Sequence, residues 1–215
     1  KDAHKRLNNR SAKPVIVGAL SGTRTWNAMI AWGAEFLGWN VRWVTGYPGT
    51  DALTTALLQG EIEMTATSNA FLLRGLKEEG VVDLVTQAGI LSGGKYLRRS
   101  SFRDVPTMPE LLQAKKLKEI EWKGYLSWVG AGQVDKWLAL PPGTPKEYVQ
   151  AYRLAFDQVT KNPKFLTRAK AVLSVDLKVT SGTEIEALLK EIVGISDEAI
   201  AYSAKVRKKY GLPEK

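Results

Sequence analysis

The feature that most constrains the fold is a strand–turn–helix unit near the start of the chain. The apolar run Val15–Leu20 is typical of a buried strand, and apolar residues recur at helical spacing over Trp26–Leu37. Small and hydroxyl residues form the turn between them, together with one arginine. A helix that starts there has free N–H groups and a partial positive charge at its first turn. The unit therefore predicts a seat for a carboxylate or phosphate, or else a helix that Ser and Thr simply cap.

Strand-like and helix-like segments alternate beyond this unit, which favours an α/β fold with a mostly parallel sheet and helices on both faces. The range 120–131 is also interpreted as a strand, because large aromatic residues recur along it. The other strands are predicted at 15–20, 41–45, 62–66 and 81–88, and the helices at 26–37, 51–58, 70–78 and 108–118.

Helices dominate the second half of the chain. A proline and a capping-box acid follow Thr144 and predict a helix that runs to about residue 160. Further helices are expected at 165–171 and from 181 to about 210, with one strand at 175–180. We therefore expect an α/β ligand-binding lobe over 14–125 and a helix-rich part over 126–215.

Composition excludes several functions. The absence of cysteine among the 215 residues excludes disulfides, thiol catalysis and cysteine-ligated metals. The net charge of +9 favours anionic partners, but basic clusters such as Arg98-Arg99 and Lys115-Lys116 are interpreted as solvated faces. Nucleic acid is not expected as a partner, since no recognised binding motif accompanies the charge.

No catalytic centre is predicted. The single histidine, His4, lies in a polar terminus, and neither a phosphate loop nor a dinucleotide fingerprint occurs. We therefore expect no catalytic residue, no metal and no cofactor, and we do not expect an enzyme. A hydrolase that uses Ser and Lys stays open as a lower alternative, as does a basic nucleic-acid-binding protein.

Several short motifs, in order, give the chain a family resemblance. They follow the Ser/Gly/Thr turn at 21–27 and are Gly46-Tyr47-Pro48-Gly49, Leu58-Gln59-Gly60-Glu61-Ile62-Glu63, Asp104-Val105-Pro106-Thr107-Met108-Pro109-Glu110, Leu140-Pro141-Pro142-Gly143-Thr144-Pro145 and Asn162-Pro163. From about residue 14 to the end, the chain resembles the Bug-type solute-binding receptors of tripartite tricarboxylate transporters. The resemblance implies a type II periplasmic-binding-protein-like fold. It also implies that 14–125 is the second lobe, that 126–215 returns to the first lobe, and that the N-terminal part of the first lobe is absent.

The resemblance also implies a function. It is that of a periplasmic (extracytoplasmic) protein that captures a small organic acid in the cleft between two lobes and delivers it to membrane permease subunits. A shortened chain would expose apolar surface and would need a partner or form a dimer. The main alternative is a module on the same fold that senses a carboxylate and reports to a signalling partner.

The expected ligand contacts lie at the carboxyl ends of strands, where open α/β sheets bind ligands. Two departures from the family pattern favour a negatively charged ligand: Arg24 replaces a small residue, and Thr67 stands where an Asp is common. Trp26 is expected either to stack on an aromatic acid or to pack in its helix, Tyr47 to line the cleft or lie on the surface, and Thr67 with its neighbours to bind ligand or cap a helix. The full set of candidate residues is Ser21, Gly22, Thr23, Arg24, Thr25, Trp26, Asn27, Tyr47, Thr67, Ser68 and Asn69.

Overall fold

The computed structural model describes residues 2–20, 25–92, 95–133 and 137–212 and shows a mixed α/β chain. Its contacts divide the chain into two units: Lys1–Gln133 together with Ile195–Lys215, and Val134–Gly194. The domain boundary expected at 125/126 therefore differs from the division by contacts. The expected boundary falls within the helix Glu119–Val129. The last helix, Asp197–Lys209, packs against that helix and therefore belongs to the first unit. Which lobe each part represents stays a prediction.

The helices account for most of the regular structure. A single π-helical turn, Gly33–Leu37, extends the second of them, and Gly38 ends it with a φ of 78°. In chain order the α-helices are α1 (Asp2–Leu7), α2 (Thr25–Trp32), α3 (Thr50–Leu58), α4 (Ala70–Glu78), α5 (Met108–Gln113), α6 (Glu119–Val129), α7 (Lys146–Thr160), α8 (Pro163–Val172), α9 (Gly182–Val193) and α10 (Asp197–Lys209).

The sheet of the first unit is small and parallel. Strand β1 (Val15–Leu20) pairs with β2 (Val41–Tyr47), so that Val15 lies beside Val41 and Leu20 beside Tyr47. On the other side of β1, Met64 forms one parallel bridge with Val17. A separate antiparallel hairpin joins β3 (Ile90–Ser92) to β4 (Lys95–Leu97), which the sequence analysis did not foresee.

Four of the predicted strands are wrong or incomplete, and three of them form no ladder among the described residues. The range 62–66 contributes a single bridge, and neither 81–88 nor 175–180 forms a strand. A strand needs a neighbouring strand to accept and donate its backbone hydrogen bonds. In 81–88, Gln87 pairs instead with residues 106 and 108, and the described residues of the second unit contain no strand that could pair with 175–180.

Helix α6 corrects the strand expected at 120–131. Its aromatic residues recur three apart, at Trp122, Tyr125 and Trp128, which places them along one helical face rather than in alternation. Glu119 and Glu121 favour a helix start electrostatically, and a carboxylate oxygen of Glu121 accepts a hydrogen bond from the Lys118 amide at 2.7 Å.

Trp32 lies at the centre of the main core and is fully buried. Its ring is 5.8 Å from that of Tyr125 and 5.9 Å from that of Trp128, both on α6, and 6.4 Å from that of Tyr202 on α10. Rings at these separations attract one another in addition to the apolar area that they bury. Helices α2, α6 and α10 are therefore held together by one aromatic cluster.

The motif at 104–110 is a helix start. Thr107 is fully buried, and its hydroxyl oxygen accepts a hydrogen bond from the Glu110 amide at 3.2 Å. A carboxylate oxygen of Glu110 accepts one from the Thr107 amide at 2.6 Å, which completes the capping box of α5. Nearby, the buried side-chain amide of Gln87 donates to the carbonyls of Phe102 and Val105, both at 2.8 Å. These bonds fix the loop that carries the motif.

The second unit consists of α7, α8 and α9. Arg153 of α7 forms an ion pair with Glu186 of α9, and α7 also packs against α8. Among its described residues only Ala169 is buried, whereas Tyr148 and Tyr152 of α7 are 58% and 60% exposed. This unit therefore buries little of its apolar surface.

No helix in the described ranges combines the length and the apolar character that a membrane crossing requires.

The close approach of α6 and α10 depends on Gly124. A Cβ atom at this position would lie 2.8 Å from Cδ1 of Tyr202 and 3.4 Å from the Ala199 carbonyl oxygen. We expect Gly124→Ala to lower the free energy of unfolding by about 1–3 kcal/mol, measured by urea denaturation. The matched control is Gly75→Ala in α4, where a Cβ would meet nothing within 4 Å. It should raise stability by about 0.5–1 kcal/mol. Equal effects of the two substitutions would contradict this packing.

Glu35 joins the end of α10 to the π-helical turn. One of its carboxylate oxygens accepts hydrogen bonds from Nζ of Lys209 at 2.6 Å and from the Tyr210 hydroxyl at 2.8 Å. Burial alone would raise the pKa of Glu35, but these bonds outweigh it, and the net pKa lies below the ordinary value of 4.5. A carboxyl group with a depressed folded-state pKa stabilises the fold above its unfolded pKa, and that stabilisation is lost as pH falls through the folded pKa.

We therefore expect Glu35→Gln to lower the free energy of unfolding by about 1–2 kcal/mol at neutral pH and by almost nothing at strongly acid pH. Chemical denaturation across the pH range from neutral to acid measures the difference. The exposed Glu79 provides a control, since Glu79→Gln should change stability by less than about 0.5 kcal/mol. A deficit of Glu35→Gln that persists unchanged in acid would show that the charge of Glu35 is not its cause.

Candidate functional site

Three segments of the first unit leave the sheet at one edge. β1 and β2 are parallel, so their last residues, Leu20 and Tyr47, lie side by side. The segment around Met64 runs parallel to β1, and its next residue, Thr65, donates a hydroxyl hydrogen bond to the Gly18 carbonyl at 3.1 Å. We call this the carboxyl edge, which among the described residues comprises Leu20, the chain that follows Tyr47 and the chain that follows Met64. Ligands of open α/β sheets bind at such an edge.

A helix begins shortly after each of these three segments: α2 at Thr25, α3 at Thr50 and α4 at Ala70. Their first-turn N–H groups and helix dipoles favour negative charge there. Asp51 already places a carboxylate in the first turn of α3, whereas α2 and α4 have no acidic residue in theirs. The N-cap of α4 is occupied by the side chain of Asn69, and the residue that precedes α2 lies outside the described residues.

The structure describes only part of the predicted anion seat. Thr25 is the first residue of α2, Trp26 is half-buried, and Asn27 is 6% exposed. The remaining candidates of this turn, Ser21, Gly22, Thr23 and Arg24, lie outside the described residues, and their contribution stays a prediction.

Tyr47 is the last residue of β2 rather than part of the loop expected after residue 45, and it is half-buried and packs against a small apolar cluster. The buried members of that cluster are Leu53, Ala56 and Ile62. These contacts explain a tyrosine at this position without a ligand. The remaining exposed part of the ring faces either solvent or a bound molecule.

The segment that follows Met64 caps a helix. The hydroxyl oxygen of Thr67 accepts a hydrogen bond from the Asn69 amide at 3.2 Å. The side-chain oxygen of Asn69 accepts one from the Leu72 amide at 3.1 Å, which makes Asn69 the N-cap of α4. The capping interpretation therefore accounts for Thr67 and Asn69, while Ser68 is exposed between them. Ser68 and Asn69 are both exposed, and of the two only the Asn69 side chain accepts the capping hydrogen bond of α4.

The described residues contain no group of three or more His, Cys, Asp or Glu side chains placed to hold a metal ion. The one histidine of the sequence, His4, is exposed on α1. The described residues at and near the carboxyl edge offer backbone N–H groups, hydroxyls, one buried amide and two partly exposed aromatic rings.

In comparisons with known proteins, no family model, curated protein or solved structure matches this chain.

The capping role of Asn69 can be tested by its effect on stability, without any ligand. We expect Asn69→Ala to lower the free energy of unfolding by about 1 kcal/mol, because the Leu72 amide loses its acceptor. Asn69→Asp keeps an acceptor and should cost much less. Urea denaturation of both variants tests this, with Ser68→Ala as the neighbouring control that should leave stability within about 0.5 kcal/mol of the wild type. If Asn69→Ala is neutral, the cap does not stabilise α4.

Proposed function

We propose that the protein is an extracytoplasmic solute-binding protein of the type II periplasmic-binding class, which captures a small organic acid for a transporter of the tripartite tricarboxylate type. The single observation that carries the proposal is the carboxyl edge. There, three parallel segments end and three helices begin, and α2 starts without an acidic residue. Such an edge suits recognition of an anion by backbone N–H groups.

The chemistry of the edge favours a carboxylate over a cation. The described candidates, from Trp26 and Asn27 to Thr67, Ser68 and Asn69, are all uncharged, and Arg24 would add the one positive charge among the candidates. A carboxylate pairs well with a guanidinium because the two form parallel hydrogen bonds. The half-buried ring of Trp26 offers a surface on which the ring of an aromatic acid can stack. The proposed ligands are therefore aromatic acids and di- or tricarboxylates.

A receptor of this class releases and captures its ligand by moving one lobe against the other. The second lobe in that scheme corresponds to the α/β unit that carries β1, β2 and α2–α4. Its mixed α/β structure supports the scheme, and delivery of the ligand to membrane permease subunits follows from it as part of the same proposal.

Thermal unfolding in the presence of mono-, di- and tricarboxylates and aromatic acids tests the proposal. A ligand at one hundred times its dissociation constant adds about 2.7 kcal/mol to the free energy of unfolding. For a chain of this size, that raises the melting temperature by about 5–10 °C. We expect at least one acid to produce such a shift and Arg24→Ala to abolish it.

The matched control is Arg42→Ala. Arg42 is exposed on β2, five residues before the carboxyl edge begins at Tyr47, so its loss should leave the ligand-induced shift intact. If no acid in the panel stabilises the protein, or if both variants respond to the acid as the wild type does, the carboxyl edge is not an acid-binding site.

A further inference from the structure

A second feature of the first unit is a surface with an excess of positive charge between β4 and α6. Residues 95–118 contain seven Lys and Arg side chains and two acidic ones. Six of the seven contact no carboxylate in the described part of the chain; five of these are exposed, and Arg99 is half-buried. We call these six the basic surface: Lys95, Arg99, Arg103, Lys115, Lys116 and Lys118.

Both acids of the segment already have cationic partners. Nζ of Lys77 lies 2.6 Å from a carboxylate oxygen of Asp104, and Nε of Arg98 lies 2.9 Å from one of Glu110. The pKa of Asp104 is lowered mainly by its Lys77 hydrogen bond, and that of Glu110 mainly by the backbone hydrogen bond from Thr107. Both carboxyls are therefore ionised and paired at neutral pH, and they do not neutralise the basic surface.

Several contacts bring the parts of this segment together. Arg98 donates to the Arg103 carbonyl at 3.0 Å as well as to Glu110 on α5. The rings of Tyr96 on β4 and Trp122 on α6 meet edge to face at 6.4 Å. The loop with Lys115 and Lys118 connects α5 to α6 and so lies between these two anchors. These contacts link β4, the loop through Arg103, α5 and α6, which are the elements that carry or flank the six cations.

The aromatic residues of this segment are not exposed, which argues against a surface that recognises a protein or a single-stranded nucleic acid. Phe102 is buried, and Tyr96 is half-buried against Trp122. Protein interfaces are enriched in aromatic residues and depleted in Lys, and single-stranded nucleic acids are bound by exposed rings on which bases stack. The basic surface offers Lys and Arg without exposed rings, and beside Lys95 on the same face of β4 it has Leu97, which is 51% exposed.

We propose that the basic surface binds the anionic headgroups of a lipid bilayer. Diffuse attraction to such a surface needs several basic side chains on one face, but it needs no specific pocket. An exposed leucine among those side chains can enter the interfacial region, which adds apolar contact. The interaction goes beyond ligand capture and holds the protein peripherally near a membrane. Its test is independent of the ligand assays.

Co-sedimentation with lipid vesicles tests the proposal. We expect the full chain to bind vesicles of phosphatidylcholine with about 30% phosphatidylglycerol, but not pure phosphatidylcholine, and to dissociate as salt rises to about 0.3 M. Each basic side chain near an anionic surface strengthens binding about fivefold. The fourfold variant Lys95→Gln, Arg103→Gln, Lys115→Gln and Lys118→Gln should therefore lose on the order of several hundredfold in affinity.

The matched control removes the same charge from the second unit: Lys146→Gln, Lys161→Gln, Lys164→Gln and Lys170→Gln. Both variants carry a net charge of +5, since four positive charges are removed from +9. All eight side chains are exposed, so both variants should melt as the wild type does. Equal losses in the two variants, or a wild type that ignores anionic vesicles, would overturn the proposal. So would a wild type that binds a short DNA duplex and not the vesicles, because the surface would then serve nucleic acid.

Discussion

The burial of Trp32 is the interaction on which the rest of the first unit depends. Its ring contacts those of Tyr125, Trp128 and Tyr202, so that α6 and α10 meet on α2 although they are distant in sequence. Helix α2 directly follows β1 and precedes β2, so the cluster also fixes the helix that starts at the carboxyl edge. The same packing explains why the chain returns: α10 completes the core of a unit that begins nearly two hundred residues earlier.

The sequence predicted correctly those helices and strands whose ends are marked by local signals. β1, β2, α3 and α4 were confirmed close to their predicted bounds, because turn residues and apolar runs mark each end. The predicted strand at 120–131 was wrong because three-residue spacing of aromatics was interpreted as alternation. The segment 81–88 is apolar enough for a strand, yet its pairing depends on distant residues that no local pattern reveals. Gln87 is an example: its role in holding the 99–108 loop is tertiary, and its only sequence signal is a polar residue in an apolar run.

The motifs that carry the family resemblance have mostly structural roles where the structure describes them. The stretch 104–110 caps α5, and Asn162-Pro163 starts α8, with the Asn162 side chain accepting from the Lys164 amide at 2.9 Å. Helix starts of this kind specify where elements begin and not what the protein binds. The site predictions at Thr67 and Asn69 illustrate the same point. The residue types that cap helices are also residue types that contact ligands, so the sequence alone does not separate the two roles. The functional proposal consequently depends on the arrangement of segments at the carboxyl edge.

The net charge of +9 and the local chemistry of the carboxyl edge act over different distances. A positive protein attracts anions as they approach, but salt at physiological strength screens exposed charges beyond about 8 Å. In the proposed site, discrimination between anions therefore has to come from groups within hydrogen-bonding reach, such as the first N–H groups of α2. Asp51 places a negative charge in the first turn of α3, which lowers the attraction of that helix start for anions, whereas the first turn of α2 has no acidic residue. Residues 95–118, between β4 and α6, carry seven Lys and Arg against two acidic residues and so hold +5 of the net charge of +9. In our proposal this part of the chain attracts an extended anionic surface and does not determine which small anion is bound.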